Sequence, residues 1–306
     1  MTKVFIDGSA GTTGLRIRKR LAARNDIDLI SLPEELRKDL DARKQALNSA
    51  DIVFLCLPDA ASIEAVAMIE NPSSAVIDTS TAHRTAEGWT YGFPELAGKR
   101  EEIASSKRIA NPGCHASGFI ALISPLVKAG IVKKDALLTC VSLTGYSGGG
   151  KKMIAEYEDE NRNKLFDAPR QYGLTQNHKH LKEMAALCHL TNAPAFCPIV
   201  APFYSGMEVT VPLFAKDING SAEDICEMYA ACYAKGLVRY ENADEGGFLS
   251  AGAFSGKDSM QVSVFGNEER ILLVARYDNL GKGASGAAIQ NMNILLGVDE
   301  TTGLEV

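Results

Sequence analysis

Long apolar runs are missing from this chain of 306 residues. The longest uninterrupted stretches, residues 52–58 and 271–275, fall far short of the ~20 residues a membrane-spanning helix needs, so no membrane partner is expected. The start, MTKVFIDGSAGTTG, enters a strand at once and carries no secretory apolar segment or small-residue cleavage site. A cytoplasmic protein is the expectation. No CxxC pair occurs, and seven cysteines at irregular spacing exclude a disulfide framework and leave no ligand spacing for structural zinc. Reduced thiols and no metal are expected. Positive charge is short as well: 32 Lys and Arg against 38 Asp and Glu give a net −6. That balance argues against nucleic acid as a partner, while local basic pockets for an anionic small molecule stay possible. Internal repeats and low-complexity linkers are also absent.

What is present is the texture of a globular α/β protein long enough for two domains. KVFIDG, IDLISL, DIVFLCLP and SAVIDTS read as short apolar strands. Between them, GLRIRKRLAAR places Leu15, Ile17, Leu21 and Ala22 on one helical face, DARKQALNSA is a polar helix, and AASIEAVAMIE turns Ile63, Val66, Ala67 and Ile69 inward. Strand and helix in alternation specify a parallel, doubly wound sheet of the Rossmann type. Past residue 112 the pattern changes. An apolar helix over residues 116–127 precedes a strand running into a glycine-rich loop, TGYSGGGKK. MEVTVPLF and SMQVSVFGNEERILLVARYDN follow, the latter a hairpin turning at Gly266-Asn267. AEDICEMYAACYAKG is an amphipathic helix ending at Gly236, and GAAIQNMNILL is a closing helix. This second part reads as an α+β domain on a largely antiparallel sheet, whose exposed hairpin suits a homo-oligomer, a dimer or tetramer.

Two stretches carry chemistry. Gly8, Gly11 and Gly14, with Ser9, Ala10, Thr12 and Thr13 between them, form a G-x-x-G-x-x-G turn between the first strand and helix. Residues without Cβ, free N–H groups and a helix N-terminus are what a pyrophosphate requires. At the end of the second strand stands Ser31 rather than a carboxylate, with Arg37 and Lys38 close behind. That favours a ribose 2′-phosphate, hence NADP, although Glu34 and Glu35 lie between. In the second stretch, ANPGCHASG, Cys114 stands where a helix begins. A helix N-terminus stabilises a thiolate, whereas Cys56 and Cys140 sit in apolar strands and the other four cysteines lack an activating context. A thiol nucleophile needs a base, and QNHKHLKEM offers His178 and His180, with Glu183 on the face of His180. His115 adjoins the thiol, but neighbours one apart on a helix do not face each other.

Taken together, GSAGTTG, DTSTAHR, YGFPEL, NPGCHASG, TGYSGGGKK, HKHLKEM and YDNLGKGASGAAIQNMN resemble the N-acetyl-γ-glutamyl-phosphate reductases of arginine biosynthesis, in their shorter form. The longer members carry SADFR where this chain has STAHR, and Arg-Gly where it has Ser205-Gly206. The resemblance implies a Rossmann domain of residues 1–112 with 280–306, and a catalytic and dimerisation domain of residues 113–279. It implies Cys114 as nucleophile, His180 as acid/base with His178 as alternative, and Asn279, Lys282, Gly283 and Gly286 beside the cofactor. Arg84, Ser147, Gly148, Lys151, Lys152 and Glu183 are the expected substrate contacts. The implied reaction is NADPH-dependent reductive dephosphorylation of an acyl phosphate through a Cys114 thioester. The same chemistry on aspartyl phosphate or carrier-bound aminoadipyl phosphate, and a non-enzymatic NADP-binding redox sensor, are the alternatives.

Overall fold

A computed structural model describes residues 1–306. The chain divides into two compact units: Met1–Pro94, Gly98–Pro112 and Ala284–Leu304 make the first, and Glu95–Ala97, Gly113–Gly283 and Glu305–Val306 the second. Asn279, Lys282 and Gly283 fall in the second unit and Gly286 in the first.

In the first unit, strands β1 (Thr2–Asp7), β2 (Ile27–Ile30), β3 (Ile52–Leu55), β4 (Ala75–Asp78), β5 (Thr90–Tyr91) and β6 (Arg108–Ala110) form one sheet in the order β2-β1-β3-β4-β6-β5. Every pairing is parallel. Helices α1 (Thr12–Leu21), α2 (Leu40–Ser49), α3 (Asp59–Ala67) and α4 (Lys99–Ser105) make connections between strands. Alternate strand residues feed two cores, as the two-residue period of a strand demands. Val4, Ile6, Phe54 and Ile77 pack under Ile17 and Leu21 and under the closing helix Gly286–Leu296. Phe5, Val53, Leu55 and Val76 face Leu47 of α2 and Ala65 of α3. Fully burying one such side chain stabilises the fold by roughly 1.5–3 kcal/mol.

Two helices are rotated from the faces their apolar residues suggest. In α1, Ile17 and Leu21 are buried as expected, but Leu15 is exposed and Gly14 is turned inward. A Cβ on Gly14 would lie 2.5 Å from the Gly8 carbonyl oxygen, so close approach to the turn sets the helical phase. In α3 the inward residues are Ser62 and Ala65, and Ile63 is exposed. Ser62 Oγ donates to the buried Asp78 carboxylate (3.1 Å), and satisfying that charge outranks burying Ile63.

The second unit contains α5 (Cys114–Lys128), β7 (Thr139–Gly145), α6 (Gly150–Glu158), β8 (Arg170–Gln171), α7 (His180–Leu187), β9 (Ala195–Ala201), β10 (Met207–Phe214), α8 (Ala222–Cys232), β11 (Val238–Tyr240), β12 (Met260–Gly266) and β13 (Arg270–Tyr277). The closing helix of the first unit is α9. The sheet order is β11-β12-β13-β10-β7-β9-β8, antiparallel except for the β7–β9 and β11–β12 pairs. The β12–β13 hairpin turns at Gly266, whose φ of 125° no side chain tolerates well. Asn267 Oδ1 accepts from the N–H groups of Glu269 and Arg270 to close it. Helix α5 packs on β10 and β13, and it does so closely because Gly118 leaves room for the side chains of Tyr277 and Val209. The segment after β7 is not an open loop: Tyr146–Gly149 is a 3-10 turn that runs straight into α6. Gly145 is required there because a Cβ would stand 2.5 Å from the Tyr204 carbonyl oxygen.

Candidate functional site

The first unit holds a cleft of about 670 Å³ at the carboxyl ends of β1 and β2. That position is where open parallel sheets bind dinucleotides, and the volume suits one. Gly8, Ser9 and Ala10 line it, with Ser31, Arg37 and Lys38 on the β2 side. Gly8 has a φ of 83°, and any Cβ there would run into the Cys56 carbonyl. Gly11 is the N-cap of α1 in extended conformation, with no side-chain cap on the helix. A Cβ at Gly11 would make only ordinary contacts, 3.5 Å to the Gly8 oxygen and 3.9 Å to the Cys56 oxygen, so the approach to these N–H groups is open. Thr12 and Thr13 are the first residues of α1, and Thr12 Oγ1 is a buried hydroxyl with no hydrogen-bond partner in the protein. An orphaned donor at an uncapped helix start fits the pyrophosphate of a dinucleotide.

Two further cations line the cleft that the sequence reading did not name, Arg18 and Arg43. Arg43 is held by the buried Asp7 carboxylate (2.9 Å). Arg18 projects from the exposed side of α1, four residues past the last glycine of the motif. Its signal was available, since a helix residue one turn beyond the glycines returns to the same end of the sheet. Glu34 and Glu35 also reach the cleft wall. Arg84 lies buried in this unit, its guanidinium donating to the carbonyls of Asn111 (3.0 Å) and Thr79 (3.2 Å).

The second unit brings Cys114, His178, His180 and Glu183 into one cluster. Cys114 is the first residue of α5, capped by Gly113 in extended conformation with no side-chain cap. No acidic residue occupies the first turn, so the positive end of the helix is not offset by its own sequence. The Gly113 N–H donates instead to Glu183 Oε2 of α7 (3.2 Å). The other oxygen of that carboxylate lies 3.9 Å from His180 Nε2, and both side chains are buried. One carboxylate therefore ties the start of the cysteine helix to the histidine. His178 precedes α7 and uses Nδ1 to accept from the His180 N–H (3.2 Å), acting as a cap for the helix. The two rings meet edge to face with centroids 4.7 Å apart.

His115 also joins this cluster. Its ring contacts those of His178 and His180 at 5.9 and 5.6 Å. Its Nδ1 meets Ser142 Oγ of β7 (2.7 Å) and its Nε2 meets Tyr172 Oη (2.6 Å). Burial, with His178 as a second cause, pushes its pKa down to about 3. Tyr277 completes the frame: its hydroxyl donates to the Cys114 carbonyl (2.6 Å) and accepts from the Gly118 N–H (3.0 Å). None of His115, Ser142, Tyr172 and Tyr277 was singled out as functional from sequence, because they converge from separate elements rather than within one motif.

The other cysteines contrast with Cys114. Burial pushes the Cys56 thiol up to about 12 and raises those of Cys140 and Cys188 further. Asn279 donates to Ser147 Oγ (3.0 Å) and accepts from the Gly206 N–H (3.0 Å), and Gly148 lies beneath it. Lys151 and Lys152 are exposed in the first turn of α6. Lys282 is fully buried, and its ammonium donates to both oxygens of Glu95 (2.8 Å each). Gly283 lies against Cys114, since a Cβ there would be 3.2 Å from the cysteine Cβ. Gly286 opens α9 in the first unit.

Comparison with known proteins agrees with this arrangement. A family model described as semialdehyde dehydrogenase, NAD binding domain, matches residues 33–106, and one described as semialdehyde dehydrogenase, dimerisation domain, matches residues 114–279. N-acetyl-gamma-glutamyl-phosphate reductase 2 of Nostoc sp. is 44% identical, covering 99% of each chain. The N-acetyl-gamma-glutamyl-phosphate reductase of Brucella ovis is 46% identical over 96% of this chain and 99% of its own. Among solved structures, aspartate semialdehyde dehydrogenase II from Vibrio cholerae, complexed with ASA, shares the fold at a TM-score of 0.73 and 17% identity, covering 97% of this chain and 98% of that one. Aspartate semialdehyde dehydrogenase with NADP from Candida albicans does so at 0.68 and 14%, covering 97% and 99%. No helix here is long and apolar enough to cross a membrane. A nucleotide-binding unit with a glycine turn, a dimerisation unit with its cysteine at a helix start, and near-full-length identity above 40% agree: the chain belongs to the N-acetyl-γ-glutamyl-phosphate reductase family of semialdehyde dehydrogenases.

Proposed function

We propose that this chain reduces N-acetyl-γ-glutamyl phosphate to N-acetylglutamate 5-semialdehyde with NADPH, through a thioester on Cys114, as a cytoplasmic homo-oligomer. The observation that carries the reading is the placement of Cys114 at the glycine-capped start of α5, joined through Glu183 to His180. The helix dipole favours the thiolate, which attacks the acyl carbon as the phosphate leaves. His180 is the acid/base: with Nε2 turned to Glu183, its Nδ1 exchanges the thiol proton, a role typically worth about 10²–10⁴-fold. His178, engaged by the start of α7, is the second candidate. When bound, the nicotinamide supplies the hydride that reduces the thioester carbon. Cys114 then departs as thiolate and the aldehyde is released. N–H groups at the α5 start stabilise the acyl oxygen as charge develops on it.

For the cofactor, NADP over NAD is supported by Ser31 in place of an acidic residue, with Arg18, Arg37 and Lys38 around the same cleft. Gly8 to Gly14 would hold the pyrophosphate at the start of α1. In the second unit, Asn279 and Gly283 are assigned to the nicotinamide end, and Ser147, Gly148, Lys151 and Lys152 to the substrate phosphate. Lys282 serves by fixing its turn through Glu95, and Arg84 by fixing the Asn111 carbonyl. The test is a side-by-side assay of N-acetylglutamate, aspartate and aminoadipate semialdehydes with phosphate and either NADP or NAD. Turnover confined to the first, with NADP favoured, is expected; preference for another semialdehyde overturns the substrate assignment.

A further inference from the structure

We infer that Tyr172 is a further substrate-facing residue of the Cys114 site, a neutral hydrogen-bond donor whose proton Ser142 directs outward through His115. The inference deepens the proposed function and rests on it for the identity of the acceptor. It follows from counting hydrogens along three residues. His115 is buried and, with its pKa pushed down to about 3, neutral at pH 7, so its ring carries one N–H and one bare nitrogen. Ser142 is fully buried on β7, and its hydroxyl meets one partner, His115 Nδ1 at 2.7 Å. Were Nδ1 the protonated nitrogen, the serine proton would be buried with nothing to accept it, at a cost of ~1–3 kcal/mol. Ser142 therefore donates to Nδ1. The ring proton sits on Nε2 and donates to Tyr172 Oη at 2.6 Å.

Tyr172 is thus an acceptor toward His115, and its own proton points away from the pair. The residue follows β8, half-buried, with its ring edge-on to His178 at 6.0 Å between centroids. Burial raises the phenol pKa, and the charge of Cys114 raises it further, so the hydroxyl keeps its proton, and its bond to His115, the residue after Cys114, ties it to the start of the nucleophile's helix. Accepting from an imidazole N–H polarises the phenol and strengthens it as a donor. An uncharged donor bound to the residue after Cys114 suits an oxygen whose charge appears only during the reaction. The permanent anions of the substrate call for lysine or arginine. We assign the acyl oxygen as the acceptor of Tyr172; His115 and Ser142 are positioning residues that act through it.

Two measurements test the inference. Nitrogen-15 NMR of histidine-labelled protein at pH 7, assigned with His115→Gln, should show His115 protonated at Nε2 and bare at Nδ1. Protonation at Nδ1 overturns the inference without reference to any substrate. In Tyr172→Phe, kcat should fall about 10²–10³-fold, as for loss of one oxyanion donor, while KM and the rate of Cys114 alkylation by iodoacetamide stay within about threefold. Unchanged kcat, a rise in KM alone, or a parallel loss of alkylation each overturn it. If wild-type protein turns over no N-acetylglutamate semialdehyde, the functional reading falls, and the histidine spectrum still decides the hydrogen-bond relay.

Discussion

Helices α5 and α8 pack against each other in the second unit, yet they begin in opposite ways. Helix α8 starts with a full capping box: Ser221 Oγ accepts from the Asp224 N–H, and the Asp224 carboxylate accepts from the Ser221 N–H. Glu223 adds a second negative charge to its first turn. Helix α5 has a glycine cap, no side-chain cap and no acid in its first turn. The half of a capping box that it does possess, a carboxylate on the N-cap N–H, comes from Glu183 of another helix. A capped helix start is satisfied and closed. The start of α5 keeps its donors and its dipole for Cys114, and the one group that touches its cap also touches His180, the proposed acid/base. Local stability of about 1 kcal/mol, the usual worth of a side-chain cap, is forgone at the helix that carries the proposed nucleophile.

That comparison can be broken or sharpened by experiment. The largest effect concerns the residue after the cysteine. His115 titrates near 3 in the folded chain against 6.5 ordinarily, so between those values the unfolded chain binds more protons. Stability must therefore fall as pH drops from about 6.5 toward 3, by on the order of 3 kcal/mol at pH 4 from this group alone. Urea midpoints of wild type should decline across that window more steeply than those of His115→Gln; equal slopes would contradict a buried neutral ring. Next, Gly113→Asp gives α5 the acidic cap of α8 in a backbone conformation, φ −76° and ψ 144°, that any residue adopts. The added charge beside the thiol should slow Cys114 alkylation at pH 7 about 10²-fold, and an unaltered rate would show that the helix start does not activate it. Glu183→Gln keeps the shape of the link and removes its charge; about a tenfold loss in kcat/KM is expected, with a shifted pH–rate profile. The smallest effect is the control: Ser221→Ala should cost about 1 kcal/mol of stability and leave turnover untouched.

The sequence discloses the parallel sheet, the hairpin at Gly266-Asn267, the glycine turn and the distinctive position of Cys114, because each is written in consecutive residues. It does not disclose helical phase where a small residue decides it. Gly14 and Ser62 turn α1 and α3 so that Leu15 and Ile63 face solvent, against the apolar pattern. Nor does it disclose His115. One apart from Cys114 on a helix, it does not share the thiol's face, and its partners come from α7, β7 and the residue after β8 rather than from its own helix. Lys282 shows the same limit in reverse. It sits in a stretch that the family resemblance assigns to the cofactor, yet its ammonium is bound to Glu95, distant in sequence and adjacent in the fold. Local motifs are legible; convergence across sequence separation is not.

The central claim is that Cys114 carries the acyl group. Incubating the protein with N-acetylglutamate semialdehyde and NADP, without phosphate to release the product, should leave an N-acetylglutamyl thioester on the peptide containing Cys114. Mass spectrometry of a rapidly acidified digest should find the adduct there, and phosphate or hydroxylamine should remove it. Turnover in the presence of phosphate with no adduct on Cys114, or with the same adduct on Cys114→Ser protein, would contradict the account.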